Sequence, residues 1–419
     1  MPRVKIEKIV FGGQGLARTD EGVLFVWGVL PGEEVEVEIT DKKKNFSEGH
    51  VTKIYKSAPE RVAPPESHYH SCGPWQIMTP ECENFWKLEA TKEMLQKLKC
   101  LPENLDLELV SDLNKFFNYR NKIEYNFCLN AEGLISYAFY ERDSHNLIAI
   151  DKCVLATKAI DQAAEKVLTW IRQFQINLDV LNKVIFRSNE KGQVMAALFI
   201  TKKIDLIGTP NWDENLVSFQ ILLTSDKVPE RFFSQGKNTL VEKYADLTFR
   251  FDALSFFQIN WPIFTRALSD IETYVAPDDL VVDYYAGVGV IGLFLARKAQ
   301  KVVLVESDAN AINLARQNIQ DNKITNCKVQ RGDATTMLDY ITKSRTVIFD
   351  PPRSGLSDSV VNRLLDQKPK RIIYLSCEPS TQARDCLKLK KYYETKFLRL
   401  YNFFPRTPHV ESLWILDRK

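Results

Sequence analysis

The sequence predicts an α/β fold built from a C-terminal doubly wound, mainly parallel sheet, a small N-terminal β-barrel and a central α+β domain. Three observations carry that expectation. From Val281 onward, short apolar strands alternate with helices at regular spacing. The first 57 residues hold short alternating segments cut by Gly, Pro and Asp turns. At 419 residues the chain is too long for one ordinary domain, so two or three are expected. The boundaries expected are 1–57 for the barrel, 58–255 for the central domain and 256–419 for the doubly wound domain.

Within the barrel, Val4–Val10, Val23–Val26, Glu33–Ile39 and Gly49–Ile54 are the strand candidates. The run Phe11-Gly-Gly-Gln-Gly-Leu-Ala17 offers backbone that another backbone can approach closely. Lys42, Lys43 and Lys44 form a basic loop, and a closed five-stranded barrel with such loops is a common platform for single-stranded nucleic acid. The barrel is not basic overall, however: residues 1–56 carry 9 Lys and Arg and 9 Asp and Glu.

A Pro-rich linker, 57–66, leads to Ser67-His-Tyr-His-Ser-Cys72-Gly-Pro-Trp75 and a helix from about Cys82 to Leu98. His68, His70, Cys72 and Cys82 do not match a zinc spacing, so no metal is expected. In the central domain, 107–110, 122–128, 147–150, 183–187, 193–200, 216–223 and 247–251 read as strands. Lys158–Phe174 reads as an amphipathic helix.

In the last third, the strand Val281–Asp283 runs into Tyr284-Tyr285-Ala-Gly287-Val-Gly289. Later strands end in Glu306, in Asp333 and in Asp350-Pro-Pro-Arg353. Four acids at successive strand ends are expected to face one crevice. A Gly-x-Gly turn there suits a nucleotide-like ligand, and Glu306 suits ribose hydroxyls. So many carboxylates disfavour a pyrophosphate and favour the sulfonium and ammonium of S-adenosylmethionine. The strand Ile372–Leu375 then leads into Ser376-Cys377-Glu378 and a helix opened by Pro379. A helix N-terminus would lower the pKa of Cys377 and favour its thiolate.

Bulk composition fits a cytoplasmic protein: 45% hydrophobic, 26% charged, net charge +2, eight scattered cysteines expected as free thiols. No apolar run approaches the roughly 20 residues of a membrane span, and Met1–Lys8 is not read as a signal peptide. The one basic region is 368–419, with 12 Lys and Arg against 5 Asp and Glu. A monomer is expected.

Taken together, the motifs resemble the RNA 5-methyluridine methyltransferase family, in particular members with an N-terminal TRAM domain. Phe11–Ala17 is similar to the TRAM opening, and Ser255-Phe-Phe-Gln258-Ile-Asn260 to the segment before the methyl-donor domain. Asp283–Gly289, Asp350–Gly355, Ser376–Thr381 and His409-Val-Glu411 complete the order. The resemblance implies a Rossmann-like methyltransferase domain that transfers a methyl group from S-adenosylmethionine to carbon 5 of an RNA uridine, ribosomal RNA being favoured over transfer RNA. It implies Cys377 as the nucleophile at carbon 6, Glu411 as the base and Asp350 between donor and base. Gln258, Tyr285, Gly287, Gly289, Glu306, Asp333 and Asp350 are the implied donor-binding residues. The target base must leave its stack; Phe256 or Phe257 is a candidate stacking partner, the alternative for two adjacent phenylalanines being a place in the core.

The sequence also departs from this family. TRAM-bearing relatives often hold a four-iron cluster on four cysteines. Here Cys72 and Cys153 match two of those positions while Glu66 and Trp75 occupy the others, so no iron–sulfur cluster is expected. Glu378 stands where the family usually has Asn, and a carboxylate there would oppose a thiolate. Two other readings are a non-catalytic RNA-binding protein with a decayed methyltransferase domain and an RNA cytosine-5 methyltransferase. Survival of Cys377, Glu411 and Asp350 argues against the first. The absence of a cysteine after the proline at Asp350-Pro-Pro argues against the second.

Overall fold

The structure, a computed structural model, describes every residue except 103–104, 206–207 and 226–228. The chain divides into two compact units: Met1–Phe116 with Asp350–Lys419, and Phe117–Phe349.

The first unit begins with a six-stranded sheet in the order Arg3–Lys5, Glu34–Lys42, Phe46–Lys56, Gly22–Trp27, Gly15–Thr19, Lys8–Ile9. Its two edge strands are separated in the chain only by Ile6 and Glu7. Those two residues donate their N–H groups to Glu33 and Leu16, so the sheet curls shut as a barrel. Val4, Ile6, Ala17, Leu24, Val26, Val29, Val35 and Val37 fill it. The barrel therefore has six strands rather than five. Of the four strand candidates, Val4–Val10 splits into Arg3–Lys5 and Lys8–Ile9, and Gly15–Thr19, which begins inside the glycine-rich run, is added; the side chain of Val29 lies where a Cβ on Gly15 would stand. Of the basic loop, Lys42 pairs with Glu21 and Lys43 with Asp41.

After the linker, Thr79 caps the helix Pro80–Lys97 by accepting from Cys82 N–H. Glu83 and Lys87 form a buried i,i+4 ion pair on it, 2.9 Å apart. Both reach the C-terminal segment: Lys87 donates to Asn402, and Glu83 accepts from Arg406 N–H. The C-terminal strands lie in the order Arg371–Ser376, Glu411–Arg418, Tyr393–Tyr401, with Leu109–Val110 beside the last. The helix Pro379–Leu389 follows the first of them.

The second unit contains a seven-stranded sheet in the order Leu147–Ile150, Ile135–Tyr140, Lys122–Leu129, Leu181–Ser188, Val194–Ile200, Leu216–Leu223, Glu230–Gly236. The helix Lys158–Gln173 buries Ile160, Ala163, Ala164, Val167, Leu168 and Ile171, the helical spacing expected of an amphipathic element. A hairpin, Leu240–Tyr244 with Leu247–Phe251, precedes the helix Trp261–Thr273. Four parallel strands then lie in the order Cys327–Arg331, Lys301–Glu306, Leu280–Tyr284, Arg345–Phe349. That order reverses direction beside Leu280–Tyr284, the place where doubly wound sheets open a ligand crevice.

Candidate active site

In the second unit, the strand Leu280–Tyr284 ends in a turn held largely by left-handed backbone: φ is +60° at Tyr285, +54° at Gly287 and +90° at Gly289. Tyr285 adopts this conformation with a Cβ, which is uncommon for a bulky residue. At Gly289 a Cβ would come within 2.9 Å of Leu304, and at Gly292 within 2.2 Å of the same side chain. Both glycines therefore let the helix Val290–Ala296 lie close on the strand Lys301–Glu306. Glu306 is fixed at the end of that strand. Its Oε2 accepts from Gly287 N–H (2.8 Å), and its Oε1 accepts from the N–H groups of Ser307 (2.7 Å) and Asp308 (2.8 Å). A carboxylate oxygen has room for two bonds, so Oε2 keeps acceptor capacity for a ribose hydroxyl. These residues fit a nucleoside-bearing methyl donor.

The four strand-end acids do not form one set. Asp283 is buried, 1% exposed, and its Oδ2 accepts from Gly292 N–H (2.9 Å), so it braces the turn from behind. Asp283 lies inside its strand, one residue short of the end, which turns the side chain into the core. Asp333 is exposed and accepts from Thr335 N–H and Oγ1–H, which hold its carboxyl below the usual range.

The segment Ser255–Asn260 is non-repetitive yet firmly held. Arg187, fully buried, donates from Nη2 to Ser255 O (2.8 Å) and from Nη1 to Phe257 O (3.0 Å). Asn121 donates from Nδ2 to Gln258 O (2.9 Å) and from its backbone to Ile259 O (3.1 Å). Phe257 stacks between Phe251 and Trp261, whereas Phe256 is 62% exposed. The adjacent phenylalanines thus divide, one to the core and one to solvent. Neither Asn121 nor Arg187 was singled out from the sequence; the signal available was an arginine inside the apolar strand Leu181–Ser188.

In the first unit, the strand Arg371–Ser376 pairs antiparallel with Glu411–Arg418, with Ser376 opposite Ser412. One residue further, Cys377 and Glu411 stand at the same end of the ladder. Gln382, on the helix Pro379–Leu389, donates to Tyr374 O (2.7 Å) and Ser412 O (3.2 Å), locking helix to ladder. The same helix holds the turn after Asp350. Thr381 Oγ1 donates to Arg353 O, Arg384 to Ser354 O, and Asp385 accepts from Leu356 N–H. At Gly355, where φ is +78°, a Cβ would meet Asp385 Oδ2 at 2.6 Å. Asp350, Arg353, Cys377 and Glu411 are therefore one interacting group.

The expected lowering of the thiol pKa is reversed. Burial, then the nearby Glu411 and Asp350, push Cys377 up to about 11; the Arg353 guanidinium, hydrogen-bonded to the thiol, pulls the other way. A helix N-terminus is too weak a field to offset two carboxylates beside a half-buried sulfur. The opposing charges are not that of Glu378, whose carboxylate accepts from Ser380 Oγ–H at 2.6 Å. Glu411 is 2% exposed, and burial followed by Asp350 raises its pKa well above the carboxylate range. The apolar run Leu413–Leu416 beside it is buried as well. Arg353 Nη2 also lies 3.3 Å from His409 Nε2.

The residues present do not fit a four-cysteine iron cluster. Trp75, at one of the ligand positions, is buried in the apolar cluster of Ile9, Leu30, Ala58, Ile77 and Met78, and its Nε1–H donates to Gly13 O (3.1 Å). Of the four metal candidates considered, His68 and Cys72 come together, but with Glu66. Cys82 instead lies on the helix Pro80–Lys97, where burial raises its pKa to about 11.

Comparison with known proteins places this geometry. The family described as tRNA (Uracil-5-)-methyltransferase matches residues 83–419, and the TRAM domain matches residues 2–52. An uncharacterized RNA methyltransferase of Halalkalibacterium halodurans is 30% identical over 443 residues, covering 98% of this chain and 95% of its own. Another, of Fusobacterium nucleatum, is 28% identical over 452 residues, covering 100% and 96%. The crystal structure of Pyrococcus abyssi tRNA (uracil-54, C5)-methyltransferase in complex with S-adenosyl-L-homocysteine superposes with a TM-score of 0.81 at 24% identity. That match covers 99% of this chain and all of the other, and it establishes the fold. Fold and matches define the class, an enzyme that methylates RNA with S-adenosylmethionine as cofactor. Within that class, the chain belongs to the tRNA (uracil-5-)-methyltransferase family and carries a TRAM domain. Among the described residues, no helix is long and apolar enough to cross a membrane.

Proposed function

We propose that the enzyme methylates carbon 5 of a specific uridine through a covalent adduct on Cys377, with Glu411 as base. The observation that carries this reading is the pairing of Ser376 with Ser412, which puts a thiol and a buried carboxyl at one ladder end. Arg353 lies against that thiol and favours its ionised form.

Bound S-adenosylmethionine supplies an electrophilic methyl group on its sulfonium. Tyr285, Gly287, Gly289, Glu306, Asp333 and Asp350 are the proposed donor contacts, with Gln258 presented by the clamped segment. Arg353 favours the Cys377 thiolate, whose sulfur bonds to carbon 6 of the uracil. The electron pair displaced to carbon 5 takes the methyl as the methyl–sulfur bond of the donor breaks, the bonding pair staying on sulfur. Glu411 then removes the carbon 5 proton, the ring double bond re-forms, and the Cys377–carbon 6 bond breaks. Burial lifts the affinity of Glu411 for a proton toward the range a base needs. Asp350 raises that affinity further. Phe256 is the proposed stacking surface for the extruded base.

In this reading residues 1–57 recruit RNA, 58–255 support the donor segment and 256–419 carry the chemistry, in a cytoplasmic monomer. Ribosomal RNA is the favoured target on the presence of the TRAM domain. The family description names transfer RNA, which is the second reading.

Incubation with 5-fluorouridine-substituted RNA and S-adenosylmethionine tests the mechanism. Fluorine at carbon 5 cannot leave as a proton, so a denaturant-resistant protein–RNA adduct should accumulate. Its absence, or its persistence in Cys377→Ala, would overturn the mechanism. Mass spectrometry of ribosomal and transfer RNA from a deletion strain identifies the target by which 5-methyluridine disappears.

A further inference from the structure

The segment Glu66-Ser-His68-Tyr-His-Ser-Cys72 lies outside the chemistry above. Its backbone makes one short helical turn, Tyr69–Cys72, with Ser71 N–H donating to His68 O and Gly73 N–H to Tyr69 O. That turn brings residues 68 and 72, four apart, onto one face. Glu66 folds back over the same face. Its Oε1 lies 2.8 Å from Cys72 Sγ and its Oε2 lies 3.2 Å from His68 Nε2. The three donor atoms fall within 4.8 Å of one another. All three groups are withdrawn from water: the side chains of Glu66 and His68 are 7% and 8% exposed, and Cys72 is 7% exposed.

Two acids converge here in a buried spot. A carboxyl, an imidazole and a thiol converging away from water are a donor set for a divalent cation. Such a cation draws the thiol and carboxyl as anionic ligands and takes a neutral imidazole as third donor. Gln76 Nε2–H₂ lies 2.8 Å from Glu66 Oε1 and 3.3 Å from Cys72 Sγ, an amide placed to support carboxylate and thiolate oxygen and sulfur together.

We infer that Glu66, His68 and Cys72 form a site for a single zinc-class divalent cation, with Gln76 as its supporting hydrogen-bond donor. Thiolate, imidazole and carboxylate are the three ligand types zinc takes. The donor set is wrong for an iron–sulfur cluster, which wants thiolates throughout. The cation would fix the strap between the barrel and the helix Pro80–Lys97, where His70 already packs on Gly28.

The full-length protein, saturated with Zn²⁺ and freed of unbound metal by gel filtration, should retain about one zinc per chain. Loaded with Co²⁺ instead, it should show a near-ultraviolet thiolate-to-cobalt charge-transfer band. Cys72→Ser should abolish that band, and both Cys72→Ser and His68→Gln should lower retained zinc about tenfold or more, in line with the loss of a ligand. Wild-type protein that holds no zinc and shows no cobalt band would overturn the proposal, as would stoichiometric iron with sulfide. A band undiminished in Cys72→Ser would place the metal elsewhere and overturn it equally. The wild-type spectrum decides the matter even if a variant misfolds.

Discussion

Cys377 and Glu411 stand at the same end of one antiparallel ladder, each one residue beyond the Ser376–Ser412 pair. Strand register therefore sets the thiol and the carboxyl together. Because side chains alternate across a strand, a one-residue slip would turn Glu411 to the opposite face. Gln382 guards against that slip by bonding to both strands, through Tyr374 O and Ser412 O.

The thiol titrates high, and this dictates a pH profile. With Cys377 pushed up to about 11, only a small fraction is thiolate near neutrality, and that fraction rises about tenfold per pH unit. The rate of adduct formation with 5-fluorouridine RNA should climb through the neutral and mildly alkaline range. Cys377→Ala should lower methyl transfer by about 10³-fold or more, the loss usual for a covalent nucleophile. Rapid-quench assays across pH check both outcomes.

Arg353 is the group that lowers the thiol pKa, through its charge and its hydrogen bond. Arg353→Ala should displace the alkaline limb of the profile upward and slow adduct formation at neutral pH by about tenfold or more for each unit of displacement. Arg353→Lys should recover part of the rate, since charge survives but the guanidinium fork does not. Thiol titration by absorbance of the free enzyme measures the shift directly.

Glu411 is buried as an acid whose ionisation works against the fold. Its folded pKa lies above its unfolded one, so the contribution to stability is full below the unfolded pKa and is lost as pH rises through the folded value. Glu411→Gln mimics the neutral form and should stabilise the fold increasingly as pH rises above the unfolded pKa. The same variant should trap the methylated adduct on ordinary RNA. Thermal melts at acid and alkaline pH, with gel analysis of the adduct, separate the two effects.

Glu306 tests the donor side. Glu306→Ala removes the acceptor of three backbone N–H groups and the proposed ribose contact, and should raise KM for S-adenosylmethionine by about 10- to 100-fold. KM for RNA should change little. Steady-state assays varying each substrate in turn show the split.

Phe256 and Phe257 should behave as opposites. Phe257→Ala empties a stacked core position and should cost about 3–5 kcal/mol of stability. Phe256→Ala should leave the melting temperature unchanged while weakening productive RNA binding by about 1–3 kcal/mol, the worth of one base–aromatic stack. Denaturant titration and RNA-dependent kinetics distinguish them.

Much of this was legible in the sequence because local pattern and tertiary demand agree. Leu216–Leu223 and Leu247–Phe251 form the strands their apolar runs announce, and Pro379 opens its helix where a missing N–H costs nothing. Gly15–Thr19 and Glu230–Gly236 escaped because they carry glycine or polar residues and are held as strands by their neighbours' ladders. The raised thiol pKa was out of reach for a different reason. Its main causes, burial and the charges of Glu411 and Asp350, come from residues 27 or more positions away in sequence. Asp283 was misjudged by a single residue, which in a strand reverses the face.

The clamp formed by Arg187 and Asn121 carries a consequence for how this enzyme can change. All its bonds to the Ser255–Asn260 segment end on main-chain oxygens, those of Ser255, Phe257, Gln258 and Ile259. Such anchoring is indifferent to what the segment's side chains are. Phe256 can be exchanged while the path of the backbone stays fixed, so the exposed surface can drift independently of the frame that presents it. Loss of Arg187 would instead free Ser255 and Phe257 together, leaving Gln258 and Ile259 held by Asn121 alone.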